Sequence, residues 1–127
     1  WREEIRLDHD APKPGNSLLP QMASDAAGRV AVVWEDHRNP RPGVYLNYSV
    51  DSGRTWLREE MRMDADTAAD FSGLRPGIAL TKGGTAVVAW EVTRAEEVRP
   101  ESPRDIRARV VQLAAGSGSK PSRQPAK

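Results

Sequence analysis

The residues best suited to chemistry stand together in the segment Trp34-Glu35-Asp36-His37-Arg38. Neighbouring carboxylates and an imidazole can move protons, and a guanidinium can grip an anionic group with paired hydrogen bonds. Asp10, earlier in the chain, and Arg94, later in it, could contribute to the same site. The candidate ligand-binding residues are therefore Glu35, Asp36, His37, Arg38, Arg94 and Asp10.

Some of these groups recur, because residues 2–38 repeat as residues 58–94 without a gap and with more than a third of the positions identical. Groups that recur in every repeat more often hold the fold together than bind a ligand. Glu35 and Arg38 return as Glu91 and Arg94, which favours a structural role for them.

Asp36 and His37 do not recur, since Val92 and Thr93 take their places in the second repeat. They are the better candidates for a function specific to one repeat. The alternative is that they lie in a solvent-exposed hairpin.

A metal site could be read into Asp8-His9-Asp10, but its repeat is Asp64-Ala65-Asp66, which keeps the acids and loses the imidazole. A cluster that needs all three ligands would not survive that change. We therefore expect neither a metal nor another cofactor.

Within one repeat the apolar residues alternate or form short runs, and no window has a helical period. Val30 to Trp34 is a continuous apolar run, which is typical of a buried strand. The sequence predicts an all-β fold of antiparallel strands over residues 17–24, 29–36, 44–50, 57–63, 74–80, 85–92 and 106–112. Four strands in a period of this length is the size of one β-propeller blade.

The segment Ser49-Val50-Asp51-Ser52-Gly53-Arg54-Thr55-Trp56 fills an S-x-D-x-G-x-T-W pattern. Its carboxylate can accept backbone N–H bonds, its glycine can take positive φ and its hydroxyls can bond across a turn. A calcium loop would need more oxygen ligands than the segment offers. The pattern predicts a structural turn built by Ser49, Asp51, Gly53, Thr55 and Trp56.

The octet, the preceding Val44-Tyr45, the Val32 to Arg38 stretch and Pro20 resemble the sialidase-like BNR, or Asp-box, β-propeller repeats. The resemblance covers residues 1 to about 113 and implies sialidase-like blades of four antiparallel strands. The second repeat departs from the pattern, because Val111-Gln112-Leu113 stands where an Asp box should follow.

The resemblance implies four segments. Residues 1–8 are expected to form the outer strand of a preceding or ring-closing blade, 17–64 a complete blade, 65–113 a blade with a degenerate or absent Asp box, and 114–127 a disordered tail. Two blades do not close a ring. The chain is therefore expected to be a C-terminal part of a longer propeller, with assembly of three copies into a six-bladed ring as the alternative.

Sialidase-like propellers carry their active face opposite the Asp boxes, so the resemblance directs attention to the loops over residues 9–17, 37–43, 65–73 and 93–105. It implies a non-catalytic module that binds a glycan or a protein, or else the C-terminal part of an exo-sialidase or related glycoside hydrolase. The only tyrosines, Tyr45 and Tyr48, lie within a strand, and no catalytic residue is assigned.

The partners follow from the resemblance and from the composition. We expect carbohydrate, together with further propeller blades or copies of this chain. A net charge of +1 and no long apolar segment give no reason to expect nucleic acid or a membrane. The chain has no cysteine, and the resemblance alone suggests an extracellular or periplasmic location.

Overall fold

The computed structural model describes residues 2–9, 15–65, 70–94 and 96–115, and every regular element within them is a β-strand. The strands are β1 (Ser17–Ser24), β2 (Val30–Asp36), β3 (Gly43–Ser49), β4 (Met61–Arg62), β5 (Ser72–Leu80), β6 (Thr85–Thr93) and β7 (Asp105–Gln112). Neighbouring strands are antiparallel. They form a first sheet, β1-β2-β3-β4, and a second sheet, β5-β6-β7.

The expected all-β class is confirmed, and six of the predicted strands occur with ends shifted by two residues or fewer. In the part of the chain that the structure describes, no helix could cross a membrane. The candidate Asp10 and residues 116–127 of the expected tail lie outside the described residues.

The predicted strand over residues 57–63 is wrong in extent, because only Met61 and Arg62 pair with β3. The cause is a side chain in β3. Asn47 Oδ1 accepts from the backbone N of Leu57 at 2.9 Å, and Asn47 Nδ2 donates to Leu57 O at 3.2 Å. These bonds hold the chain at Leu57 without a strand ladder.

Residues 1–8 are expected to be the outer strand of a preceding or ring-closing blade, and the described residues 2–9 belong to none of the seven strands of this chain. The segment still contacts the first sheet: Asn47 Nδ2 donates to Leu7 O at 3.1 Å, and His9 N donates to the Glu60 carboxylate. β4 already occupies the β3 edge, so these residues have no neighbouring strand there to pair with.

The main core lies between the two sheets. Side chains alternate along a strand, so each sheet has an inner face toward the other sheet and an outer face away from it. Val33, Val44 and Leu46 of the first sheet are each 0% exposed on its inner face. They pack with Val88, Trp90, Val92 and Met63 in one buried cluster.

The outer face of the first sheet has a smaller core of Val32, Trp34 and Tyr45. The rings of Trp34 and Tyr45 stack with centroids 6.4 Å apart. Leu7 and Trp56 pack against this cluster from outside the sheet. Residues before β1 and residues after β3 thus cover the same apolar patch.

The repeat is visible in an irregularity of the backbone as well. The pairing register shifts between Leu18 and Gln21 in β1, and again between Leu74 and Gly77 in β5. At matching positions inside these bulges, Leu19 has φ 55° and Arg75 has φ 45°, and a proline follows each. Left-handed backbone is strained for such residues and persists only when the surrounding structure holds it.

The octet forms the compact turn that its residue types predicted. Asp51 Oδ1 accepts from Thr55 N at 2.8 Å, and Ser49 Oγ accepts from Gly53 N at 2.9 Å. Gly53 has φ 88°, and Trp56 Nε1 donates to its carbonyl at 2.9 Å. Hydrogen bonding to Thr55 and Ser49 lowers the pKa of Asp51 below its usual value. These bonds fix the direction in which Trp56 meets the outer face.

Gly53→Ala tests the backbone of this turn. A new Cβ would meet only Trp56 at 3.8 Å, so the expected loss of roughly 1 to 2 kcal/mol in unfolding free energy comes from the left-handed φ alone. Gly77→Ala is the matched control, because its Cβ has no neighbour within 4 Å and no positive φ opposes it. Urea denaturation of both variants makes the comparison, and equal stability would contradict this account.

Candidate functional site

Alternation along β2 separates the candidate residues onto two faces. Trp34 and Asp36 point to the outer face, and Glu35 points to the inner face toward the second sheet. His37 and Arg38 follow at the end of the strand. The structure therefore brings four of the predicted residues to one end of the first sheet, divided between its two faces.

Asp36 is 1% exposed, and both of its carboxylate oxygens accept hydrogen bonds. Oδ2 accepts from Trp34 Nε1 at 2.8 Å and from Arg38 Nη2 at 2.8 Å. Oδ1 accepts from the backbone N and from Nε of Arg38, each at 2.9 Å. A buried carboxylate with this many donors has little capacity left for a ligand.

Arg38 is held on three sides. Besides Asp36 it donates to Glu60 Oε2 at 3.0 Å, and its guanidinium lies 4.0 Å above the centre of the Tyr45 ring. Glu60, whose side chain is 5% exposed, also accepts from the backbone N of His9. The arginine thus joins β2, the segment before β4 and residues 2–9.

The pKa directions in this cluster agree with its contacts. Burial raises the pKa of Asp36, but hydrogen bonds from Arg38 and Trp34 outweigh burial and hold it below 3.8. Burial also raises the pKa of Glu60, while bonds from the His9 N–H and Arg38 bring it below 4.5. The hydrogen bond to Asp36 raises the pKa of Arg38. All three groups stay charged at neutral pH, so the cluster is a closed ion network.

Glu35 connects the two sheets. Its Oε1 accepts from the backbone N of Arg75, within the β5 bulge, at 2.9 Å, and its Oε2 lies 2.6 Å from His37 Nε2. The Arg75 guanidinium lies 3.6 Å from Glu91, the repeat match of Glu35. His37, with its side chain 35% exposed, is the solvent-facing end of this chain of contacts.

Arg94 lies apart from these residues, in a cavity of about 340 Å³ at the same end of the second sheet. Its guanidinium is 4.6 Å from the centre of the Phe71 ring, and that of Arg107 is 5.5 Å from the same centre. The complete lining is Phe71, Val92, Thr93, Arg94, Pro103, Arg104, Asp105 and Arg107. Three arginines against one aspartate make this cavity suited to an anionic group.

Arg104 is the least exposed of the three cavity arginines. Its Nη2 donates to Arg99 O at 2.8 Å, and its Nε lies 3.3 Å from Glu91 Oε1, but Nε itself has no hydrogen-bond partner among the described residues. Arg99 and Glu91 thus hold the Arg104 guanidinium in place, and its Nε is a donor that no described residue uses. This feature distinguishes the Arg94 cavity from the closed network around Asp36.

Sequence reasoning identified Arg94 but missed Phe71, Arg104 and Arg107. The sequence did contain one indication of the cavity, because the residues inserted after Arg94 have no match in the first repeat. Pro103 and Arg104 come from this insertion and form one wall of the cavity.

The two repeated tryptophans differ in one hydrogen bond. Trp34 and Trp90 are both 4% exposed, but Val92 replaces Asp36, and Trp90 Nε1 has no hydrogen-bond partner among the described residues. Trp34→Phe therefore removes a bond to a charged group, which Trp90→Phe does not. We expect Trp34→Phe to be the more destabilising by roughly 1.5 to 3 kcal/mol in chemical denaturation. Equal losses would show that the Trp34 bond to Asp36 adds nothing.

Acid should unfold the protein through its network carboxylates. The folded-state pKa values of Asp36 and Glu60 lie below the ordinary 3.8 and 4.5, so the folded state binds fewer protons than the unfolded state. Their contribution is therefore complete above about pH 5.5 and is lost as the pH falls through and below those values.

Asp36→Asn tests the Asp36 part of that dependence. It should lower stability at pH 7 by roughly 3 kcal/mol, because it leaves Arg38 without its main partner. It should also flatten the fall in unfolding free energy below about pH 4.5. Urea titrations from pH 7 to pH 3 measure both effects, and an unchanged acid slope would contradict the assignment.

Comparison of the chain with protein families, curated proteins and solved structures gave no match. The fold and the site therefore rest on the sequence and geometry of this chain. These establish two antiparallel sheets, a closed ion network around Asp36 and an arginine-lined cavity around Arg94.

Proposed function

We propose that this chain is part of a sialidase-like Asp-box β-propeller and acts as a non-catalytic module that binds an anionic glycan. The observation that carries the binding proposal is the arginine-lined cavity around Arg94. The repeated sheets and the octet turn support the architecture. An extracellular or periplasmic location belongs to the same proposal.

The relation between the sheets supports the blade interpretation. Trp34 and Trp90 match in the repeat, yet Trp34 faces away from the second sheet while Trp90 faces the first. Each sheet thus has a tryptophan face, which carries Trp34 or Trp90, and a glutamate face, which carries Glu35 or Glu91. The tryptophan face of the second sheet packs on the glutamate face of the first. Successive blades of a propeller pack face to face in this way around the ring axis.

The cavity supports an anionic ligand for electrostatic and geometric reasons. Arginine presents a planar set of donors that matches a carboxylate, and Arg94 and Arg107 are preorganised against the Phe71 ring. The loops over residues 37–43 and 94–104 meet at this end: Arg41 Nη1 lies 3.4 Å from Arg94 O. The proposed ligand therefore binds on the side that the resemblance indicates.

The contacts of one tyrosine favour binding over catalysis. A tyrosine nucleophile would need an acidic partner at its hydroxyl. The hydroxyl of Tyr45 instead accepts from Asn39 Nδ2 at 3.2 Å, and Arg38 covers its ring. We therefore assign the cavity no reaction.

The test is binding of a methyl sialoside, which carries a carboxylate, compared with a neutral methyl galactoside, by NMR titration. We expect shifts for residues at the cavity with the sialoside alone. Arg107→Ala should weaken binding about tenfold or more, because it removes a charge-assisted contact. Arg58→Ala is the matched control, since Arg58 is exposed and outside the cavity lining.

Equal binding of both sugars, or an Arg107→Ala affinity equal to that of Arg58→Ala, would contradict the proposal. Turnover of a fluorogenic sialoside by the chain would contradict its non-catalytic part. Far-UV circular dichroism of each variant separates loss of binding from loss of the fold.

A further inference from the structure

Among the described residues, each sheet has apolar side chains on its outer face that remain exposed. On the outer face of the second sheet, Ile106 is 73% and Val110 is 65% exposed. On the outer face of the first sheet, Met22 is 67% exposed. Ile106 and Val110 lie on the same face of β7, with Ala108 between them.

The repeat shows what each surface is shaped to contact. Asp105-Ile106-Arg107 matches Gly43-Val44-Tyr45, so Ile106 corresponds to Val44, which is 0% exposed between the sheets. Met22 corresponds to Ile78, which packs into the same buried cluster from the other side. Each free surface therefore repeats one half of the interface that already exists within the chain, and the two halves are complementary.

The segment 2–9 supplies a second indication. Leu7 packs on the outer cluster of Trp34, as its repeat match Met63 packs with Trp90. Residues 2–9 thus contact the first sheet in the same way that residues 58–65 contact the second sheet. The second sheet in turn ends at β7, with no fourth strand among the described residues.

We propose that copies of this chain associate head to tail: the outer face of the second sheet of one copy packs on the outer face of the first sheet of the next. Residues 2–9 of the next copy then pair with β7 as the fourth strand of that second sheet. The contact continues the interface between the two sheets, so its geometry is already defined within the chain.

The register follows from the first sheet, where Leu46 is opposite Met61. Ala108 matches Leu46 and Ile5 matches Met61, so Ile5 of the next copy lies opposite Ala108.

The same register places charges across the new strand pair. Glu4 of the next copy lies opposite Arg109, which is favourable. Arg6 lies opposite Arg107, and its pairing with Asp8 at 2.8 Å reduces the repulsion.

The repeat also predicts one hydrogen bond across the proposed interface. Within the chain, Glu35 accepts from Arg75 N in the β5 bulge at 2.9 Å. Glu91 is the repeat match of Glu35, and Leu19, in the β1 bulge with φ 55°, is the match of Arg75. In the assembly, Glu91 of one copy accepts from Leu19 N of the next.

A complementation experiment tests both association and direction. The full chain should exceed its monomer mass of 14.0 kDa in sedimentation velocity as concentration rises. Met22→Lys and Val110→Lys each place a charge on one surface, and each variant alone should be monomeric. Mixed together they should form a heterodimer, because each keeps the surface that the other has lost.

Glu101→Lys is the control, because it places a lysine at an exposed position in the loop before β7. This variant should associate like the natural chain. Circular dichroism verifies that all variants fold. A natural chain that stays monomeric up to about 1 mM overturns the proposal. Association in which the mixed variants fail to complement also overturns it, since that result indicates a symmetric interface.

Cysteine pairing tests the register, because the chain has no cysteine of its own. Ile5→Cys mixed with Ala108→Cys should give a disulfide-linked heterodimer, since opposed antiparallel residues come within disulfide reach. Ile5→Cys mixed with Val110→Cys is two residues out of register and should give several-fold less. Equal yields would overturn the strand pairing. None of these measurements involves the Arg94 cavity, so their outcome is independent of the proposed glycan binding.

Discussion

Packing of one sheet on the other is the interaction on which the rest of this structure depends. A sheet of three or four short strands is marginal alone and needs an apolar face covered. Here Val33, Val44 and Leu46 become fully buried only because Val88 and Trp90 cover them. Without disulfides, and with no helix in the described residues, this burial is the main source of stability. The bonds from Arg75 N to Glu35 and from Gly73 N to Pro42 O add polar contacts between the two repeats.

Divergence between the two repeats explains where a binding site could arise. In the first repeat, Asp36 holds Trp34 and Arg38 in a closed network. Val92 stands in its place in the second repeat, so Arg94 has no carboxylate at that position and lies over Phe71 instead. The longer loop before β7 then adds Arg104 to the cavity, and β7 itself adds Arg107. Three substitutions, at the positions of Gly15, Asp36 and Tyr45, and one insertion thus distinguish the structural cluster of the first repeat from the arginine-lined cavity of the second.

Strand positions could be predicted because apolar runs and turn residues act locally, and the octet turn could be predicted because its bonds lie within eight residues. Two features depended on distant partners. The strand at 57–63 shortened because Asn47 bonds Leu57 across the sheet. The Arg94 cavity required knowing that Phe71 and Arg107 meet, which depends on the register of three strands. Residue types alone did not contain that register.

The direction of stacking limits how the free faces can be covered. Two second-sheet faces brought together by a twofold axis would give Glu91 no backbone donor like the one that Arg75 N gives Glu35. Two first-sheet faces would set Met22 and the covering residues 2–9 against themselves, with no strand edge to receive that segment. When a glutamate face packs on a tryptophan face, both groups find a partner. The bulge at Leu19 offers Glu91 a backbone donor, and β7 offers residues 2–9 a strand edge that no described strand occupies. An open edge beside an apolar face is otherwise an aggregation hazard. Because the two faces of each sheet differ, the repeat favours head-to-tail association over a symmetric dimer.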